Sequence, residues 1–399
     1  MKLDDLRVRK IFDSRGEPTI EVVALDGARV SHRAAVPSGK SRGSAEAKVF
    51  SYHEAEQSIE ALRKAMLGRE YGSVHEVDEL LLGIDTTDTK AILGGNITLA
   101  ISVALSRALA AEQSRQLSEV LHEEFFAHVS GAVRPRIYSN VINGGEHAAN
   151  NLAIQEYMLV AAPKISYAEL TQELVALYRT LGEQLRTSRK LEALPVGDEA
   201  GYCVDFKNNE EPLKILSSLI EESSLSDRLS LALDAAASSF YHDGSYRFGG
   251  KTINAGEMVE VYKKFTTEIP RLISIEDPFA EDDAEGFAAL LEALPNLSVV
   301  GDDLTVTNPK RIEGFAERAC ISGVIIKPNQ VGTVSESCRA LEIARQHKLT
   351  TIVSHRSGET DDPFIIELAK AGSADAVKIG APRNERINKY NELIRLYDE

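Results

Sequence analysis

The chain has 399 residues (43.6 kDa), 43% hydrophobic and 27% charged, with 27 glycines and 13 prolines; this excludes low-complexity, collagen-like and disordered classes and suffices for two domains or one large barrel with an appendage. Lys+Arg 45 against Asp+Glu 61 leaves a net charge of -16, so no nucleic-acid partner is expected, and an anionic substrate would need a local basic pocket. Three cysteines without metal-ligand spacing (Cys203, Cys320, Cys338), a charged start (Met1-Lys2-Leu3-Asp4-Asp5-Leu6-Arg7) and no run near the roughly 20 apolar residues of a membrane span predict core thiols, a cytoplasmic location and no membrane partner.

Three strands are expected first, at Arg7–Phe12, Thr19–Leu25 and Ala28–Ala35, the last two joined by Asp26-Gly27, a favoured hairpin turn. Helical periodicity follows at Ala45–Leu67, Val74–Leu82, Ile97–Glu112 and Leu117–His128. This first unit therefore reads as α+β. The pattern changes near Arg134-Pro135-Arg136, which puts the boundary between an N-terminal domain 1–132 and a second domain 133–399.

Beyond it, six short apolar runs each finish in an ionisable residue: Asp234, Glu276, Asp302, Lys327, His355 and Lys378, with room between them for a helix and return. Buried parallel strands separated by helices predict an α/β fold of the (β/α)8-barrel type, whose chemistry sits at the carboxyl ends of the strands. Asp234, Glu276 and Asp302 offer three hard oxygen ligands, which suits Mg²⁺ and disfavours zinc; helix N-capping by the two aspartates is the structural alternative. Lys327, His355, Arg356 and Lys378 form a cationic half on which a phosphorylated or carboxylated substrate could bridge metal and cations. A lysine among other cations and beside a metal has its charged form disfavoured, so Lys327 or Lys378 is a candidate base and the other an electrostatic partner. Glu156, in Gln155-Glu156-Tyr157, and Glu199, between Gly197 and Gly201, are further candidates; the glycines suggest a loop lining a ligand, from which a carboxylic acid could protonate a leaving hydroxyl.

Asp13-Ser14-Arg15-Gly16, Val36-Pro37-Ser38-Gly39, Asn143-Gly144-Gly145, Ser274-Ile275-Glu276-Asp277-Pro278-Phe279, Gly301-Asp302-Asp303-Leu304-Thr305, Asn329-Gln330-Val331-Gly332-Thr333 and Ser354-His355-Arg356-Ser357-Gly358-Glu359-Thr360 resemble, in order and over nearly the whole chain, the motifs of the enolases (phosphopyruvate hydratases). The resemblance implies an N-terminal α+β capping domain, a (β/α)8-type barrel of the enolase kind whose first strands depart from simple alternation, two Mg²⁺ ions per active site, a small anionic phosphorylated substrate, and a homodimer or higher homo-oligomer. It implies reversible dehydration of 2-phosphoglycerate to phosphoenolpyruvate through an enediolate. By motif position, Asp234, Glu276 and Asp302 hold one metal and Ser41 the other. Lys327 abstracts the C2 proton, Glu199 protonates the leaving hydroxyl beside Glu156, Lys378 stabilises the intermediate and His147 lies on a closing loop. Gln155, His355, Arg356 and Ser357 join Ser41 and Lys378 around the substrate.

The chain departs from the family pattern in several places. Lys40 and Arg42 flank Ser41 where small residues are common, Glu146 replaces a serine, Ala200 a glycine and Ser239 a glutamate, Pro328 follows Lys327, and the stretch between Ala45 and Tyr71 is short. A paralogue acting on a related phosphonate or phosphorylated acid (carboxyphosphonoenolpyruvate synthase-like) and a non-catalytic binding protein are the alternatives.

Overall fold

A computed structural model describes residues 1–39, 45–131 and 133–398. Three antiparallel strands open the chain: β1 (Leu3–Phe12), β2 (Pro18–Asp26) and β3 (Ser31–Val36), in the order β1-β2-β3. The Asp26-Gly27 turn is wider than a two-residue hairpin. Leu25 pairs with Ser31, and the Asp26 carboxylate accepts the amides of Ala28 and Val30 to close the loop between them. Alternation along β2 buries Ile20, Val22 and Ala24, against which packs helix Gly95–Glu112, rich in Ala, Leu and Ile and buried along nearly all of its length. The helix expected from Ala45 starts only at Tyr52, because Ser51 and Glu54 form a reciprocal capping box that fixes its first turn; helices Val74–Ile84 and Leu117–Phe125 complete the unit.

The second part closes eight strands into a barrel: β4 (Arg136–Asn143), β5 (Glu156–Ala161) and β6 (Leu229–Asp234), followed after a small sheet of β7 (Tyr241–His242), β8 (Ser245–Phe248) and β9 (Lys251–Ile253) by β10 (Leu272–Glu276), β11 (Ser298–Gly301), β12 (Gly323–Ile326), β13 (Thr350–Ser354) and β14 (Ala376–Lys378). Simple alternation fails at the start. β4 pairs antiparallel with β5 and β5 antiparallel with β6, whereas all other barrel pairs are parallel. The interior is plugged by Tyr138, Met158, Val160, Ala232, Val300, Ile325, Ile352 and Ala376 with Ile273 beside them, so that every strand contributes, as a filled barrel requires. Residues of the first unit dock by ion pairs: Arg107 spans Asp362 and Glu367 at 2.7 Å, and the buried Lys90 meets Glu336 at 2.8 Å. All three cysteines are buried and free, and no helix among the described residues is long and apolar enough to cross a membrane.

Candidate active site

Asp234, Glu276 and Lys378 are the last residues of β6, β10 and β14, while Asp302, Lys327 and His355 directly follow β11, β12 and β13. Glu156 joins them from the opposite end of its strand. Because β5 runs against both neighbours, its first residue lies level with Asn143 and Asp234 at the barrel mouth. The buried Lys378 ammonium lies 2.8 Å from both Glu276 oxygens, 3.0 Å from Asp234 Oδ2 and 3.2 Å from Glu156 Oε2, and the Lys327 ammonium pairs with Asp302. Gln155 donates to Asp234 Oδ2 at 3.4 Å.

These contacts work against burial at both lysines. Burial alone would favour the neutral amine, but Asp302 holds the Lys327 proton, and Asp234, Glu156 and Glu276 hold that of Lys378, so both are pushed above the ordinary lysine range. The acids carry the complementary signature. Burial and the adjacent Asp234 push Glu276 up, and burial with Asp302 pushes Asp303 up to about 7. Carboxylate charge thus exceeds what the two lysines neutralise, and the excess fits a hard divalent cation among oxygen donors. Asp234 and Glu276 both meet the Lys378 ammonium; groups of three donor atoms lying within 4.8 Å of one another occur among Asp277, Asp302 and Asp303, and among His147, Glu156 and Glu199.

In the second of those groups His147 Nδ1, in the 3-10 turn Gly145–His147, is 4.0 Å from Glu156 and 3.9 Å from Glu199. Asn140 Nδ2 donates to Glu199 Oε2 at 3.0 Å and His355 Nε2 lies 3.6 Å away. Burial and the charge of Glu199 push Glu156 up; Glu199, equally buried, is held low by His355 and then His147, and burial drives His355 down to about 3. The two neighbouring carboxyls are thus pushed in opposite directions, Glu156 up and Glu199 down. The turn carrying Glu199 rests on Asn143, which a Cβ at Gly197 or Gly201 would strike, and Ala200 adopts φ +63°, a left-handed conformation costly for an L side chain. That is the physical content of the Gly-to-Ala departure.

Opposite the acids, Arg356 is buried on Glu46, with Nη1 to Oε2 at 2.9 Å, and donates to Asn329 Oδ1 at 3.2 Å. Gly39 lies so close that a Cβ there would overlap the guanidinium. Ser357 and Arg356 line, with Glu146, Gln155, Ser239, Asp303 and the two lysines, a cavity of about 250 Å³. Lys40, Ser41 and Arg42 lie outside the described residues.

Neither Asp234 nor Asp302 is a helix N-cap. Sequence reasoning missed Asp277, whose carboxylate accepts the amides of Asp302 and Asp303 at 2.9 and 2.7 Å and so aims the end of β11; the doubled acids Glu276-Asp277 and Asp302-Asp303 were its only signal. It also missed Glu46, for which no local pattern exists, and Asn140, which was hidden within an apolar strand.

A family model described as the enolase N-terminal domain matches residues 3–121, and one described as the enolase C-terminal TIM barrel domain matches residues 132–399. Curated relatives named enolase include those of Methanopyrus kandleri (38% identical, covering 100% of this chain and 96% of the relative), Methanocaldococcus jannaschii (36%; 100% and 95%) and Pyrococcus furiosus (39%; 98% and 93%). Similarity over both halves, joined to lysines and carboxylates converging on one barrel mouth, means that the chain belongs to the enolase family.

Proposed function

We propose that this enolase-family lyase, a phosphopyruvate hydratase, dehydrates 2-phosphoglycerate reversibly through an enediolate, with Mg²⁺ as its divalent metal and two ions per site. The observation that carries the reading is the opposition of Lys327 and Lys378 to a ring of buried carboxylates beside an arginine-lined pole. Removing a proton next to an ionised carboxylate builds a second negative charge, and concentrated positive charge makes that feasible. Asp234, Glu276 and Asp302 would hold one ion and Ser41 the second; when bound, they supply Lewis-acid charge to the substrate carboxylate.

Lys327 takes the C2 proton. Its proton affinity is raised by Asp302, and a divalent cation held by that carboxylate would lower it toward the range a base needs. Lys378 stays charged and faces the developing dianion. Glu199 delivers a proton to the C3 hydroxyl, with Glu156 as its reservoir and His147 spanning both. Arg356, Ser357 and His355 bind the phosphate end, and Gln155 sits beside the carboxylate ring.

A domain boundary at 132/133 and a homodimer or higher oligomer complete the proposal on the family resemblance. A cytoplasmic location is supported by three free, buried thiols. The test is phosphoenolpyruvate formation from 2-phosphoglycerate, followed by absorbance. We expect turnover that a chelator abolishes and Mg²⁺ restores; well-folded protein without turnover would refute the reading and return the paralogue to consideration.

A further inference from the structure

The segment after Lys378 carries a second arginine that touches no part of the cavity but reaches behind it. Arg386 is 0% exposed. It donates to three main-chain carbonyls: Nη1 to that of Arg356 at 2.8 Å, and Nη2 to those of Ser357 at 2.7 Å and Asp198 at 3.0 Å. Two of these belong to the turn that presents the phosphate-binding pair and the third to the turn that presents Glu199. A guanidinium is suited to this, because its donors lie in one rigid plane and fix the separation of the acceptors they join. Glu385 at 3.0 Å and Glu359 at 3.8 Å set negative charge beside the guanidinium. The same segment seals the junction elsewhere: the Ala381 amide donates to the Glu199 carbonyl at 3.1 Å, and a Cβ on Gly380 would come to 3.0 Å from both that carbonyl and His355 Cε1.

We propose that Arg386 is a positioning residue for the reaction, locking the acid-bearing turn at a fixed distance from the phosphate-binding turn. The inference rests on the roles given above to Glu199, Arg356 and Ser357. Lys327 directly follows β12 and has no bond to Arg386, so the two halves of the reaction depend on Arg386 unequally. Loss of the fork lets the Glu199 turn drift from the substrate hydroxyl, and displacements of about 1 Å remote from the chemistry can lower rates by about a hundredfold.

The experiment compares full-length wild type, Arg386→Ala and Arg386→Lys, with Mg²⁺ and 2-phosphoglycerate, reading phosphoenolpyruvate formation alongside C2 proton exchange into deuterated water by NMR, with near-ultraviolet circular dichroism to confirm folding. Both variants are expected to raise KM for 2-phosphoglycerate about tenfold and to lower dehydration at least about tenfold more than exchange, with added guanidinium ion restoring part of the dehydration in Arg386→Ala. Should the alanine variant not fold, the lysine variant, which keeps the charge without the planar fork, carries the comparison. Folded variants that lose both rates by one factor, or lose neither, overturn the proposal, as does failure of both variants to fold. A wild type that forms no phosphoenolpyruvate instead removes the functional reading beneath it, a result visible before any variant is made.

Discussion

The two poles of the cavity are built by different means. The carboxylate–lysine pole stands on strand ends: Asp234 and Glu276 are partners on adjacent strands of the barrel, and Lys378 reaches both from the end of β14. The phosphate pole stands on turns gripped from far along the chain: Arg356 by Glu46, 310 residues away, and Ser357 by Ser14 from one side and Arg386 from the other. Strand geometry gives the first pole rigidity at once, whereas the second acquires it only when both ends of the chain have docked. Changes at the strand-end pole should therefore strike chemistry, and changes at the gripped pole should strike binding and stability together.

The sharpest test of that contrast is Lys327→Ala. Loss of a positioned general base lowers rates about 10²–10⁴-fold, so C2 proton exchange measured by NMR should fall by that order; exchange that persists would show the base to be misassigned. Glu46→Gln probes the other pole. Taking one charge from a buried ion pair destabilises by about 3–5 kcal/mol, so denaturant unfolding should show a loss of that order together with a raised KM, and a variant as stable as wild type would break the comparison.

His355 adds a pH dependence to the gripped pole. Its native pKa lies at about 3 against an ordinary 6.5, so below 6.5 the unfolded chain takes up a proton that the buried ring refuses. Its contribution is present above pH 6.5 and lost as pH falls toward 3, amounting to about 2 kcal/mol by pH 5. His355→Asn should flatten that part of the stability profile, and an unchanged profile would place the acid sensitivity elsewhere. The smallest effect is expected from Ala200→Gly: relief of left-handed strain, offset in part by the backbone freedom of glycine, should stabilise by about 0.5 kcal/mol in chemical denaturation, and destabilisation would mean that Ala200 packing outweighs its strain.

Legibility followed the same division. Asp234, Glu276, Asp302, Lys327, His355 and Lys378 could be picked out because each closes an apolar run of strand length, and barrel strands deliver such residues to one rim. The lysine proton affinities could not be read, since they depend on which carboxylate each ammonium meets. The Glu156 rim position was equally hidden: a residue that begins a strand reaches the mouth only if that strand runs backwards, and direction is a property of pairing. The early strands were anticipated to within a few residues, whereas the first helix was placed too early because periodicity cannot locate a capping box that stops it at Ser51.

By itself the sequence determined the two-part organisation, the barrel and the six ionisable residues at its strand ends, because periodicity, strand length and side-chain type are local properties of the chain. Tertiary structure alone decided which charges are partners, that Glu156 and Glu199 are pushed in opposite directions, and that Glu46 and Arg386 brace the phosphate pole from outside it. Those outcomes depend on distances of a few ångströms between residues tens to hundreds of positions apart, and Coulomb energies and hydrogen bonds respond to that separation in space, not to separation along the chain.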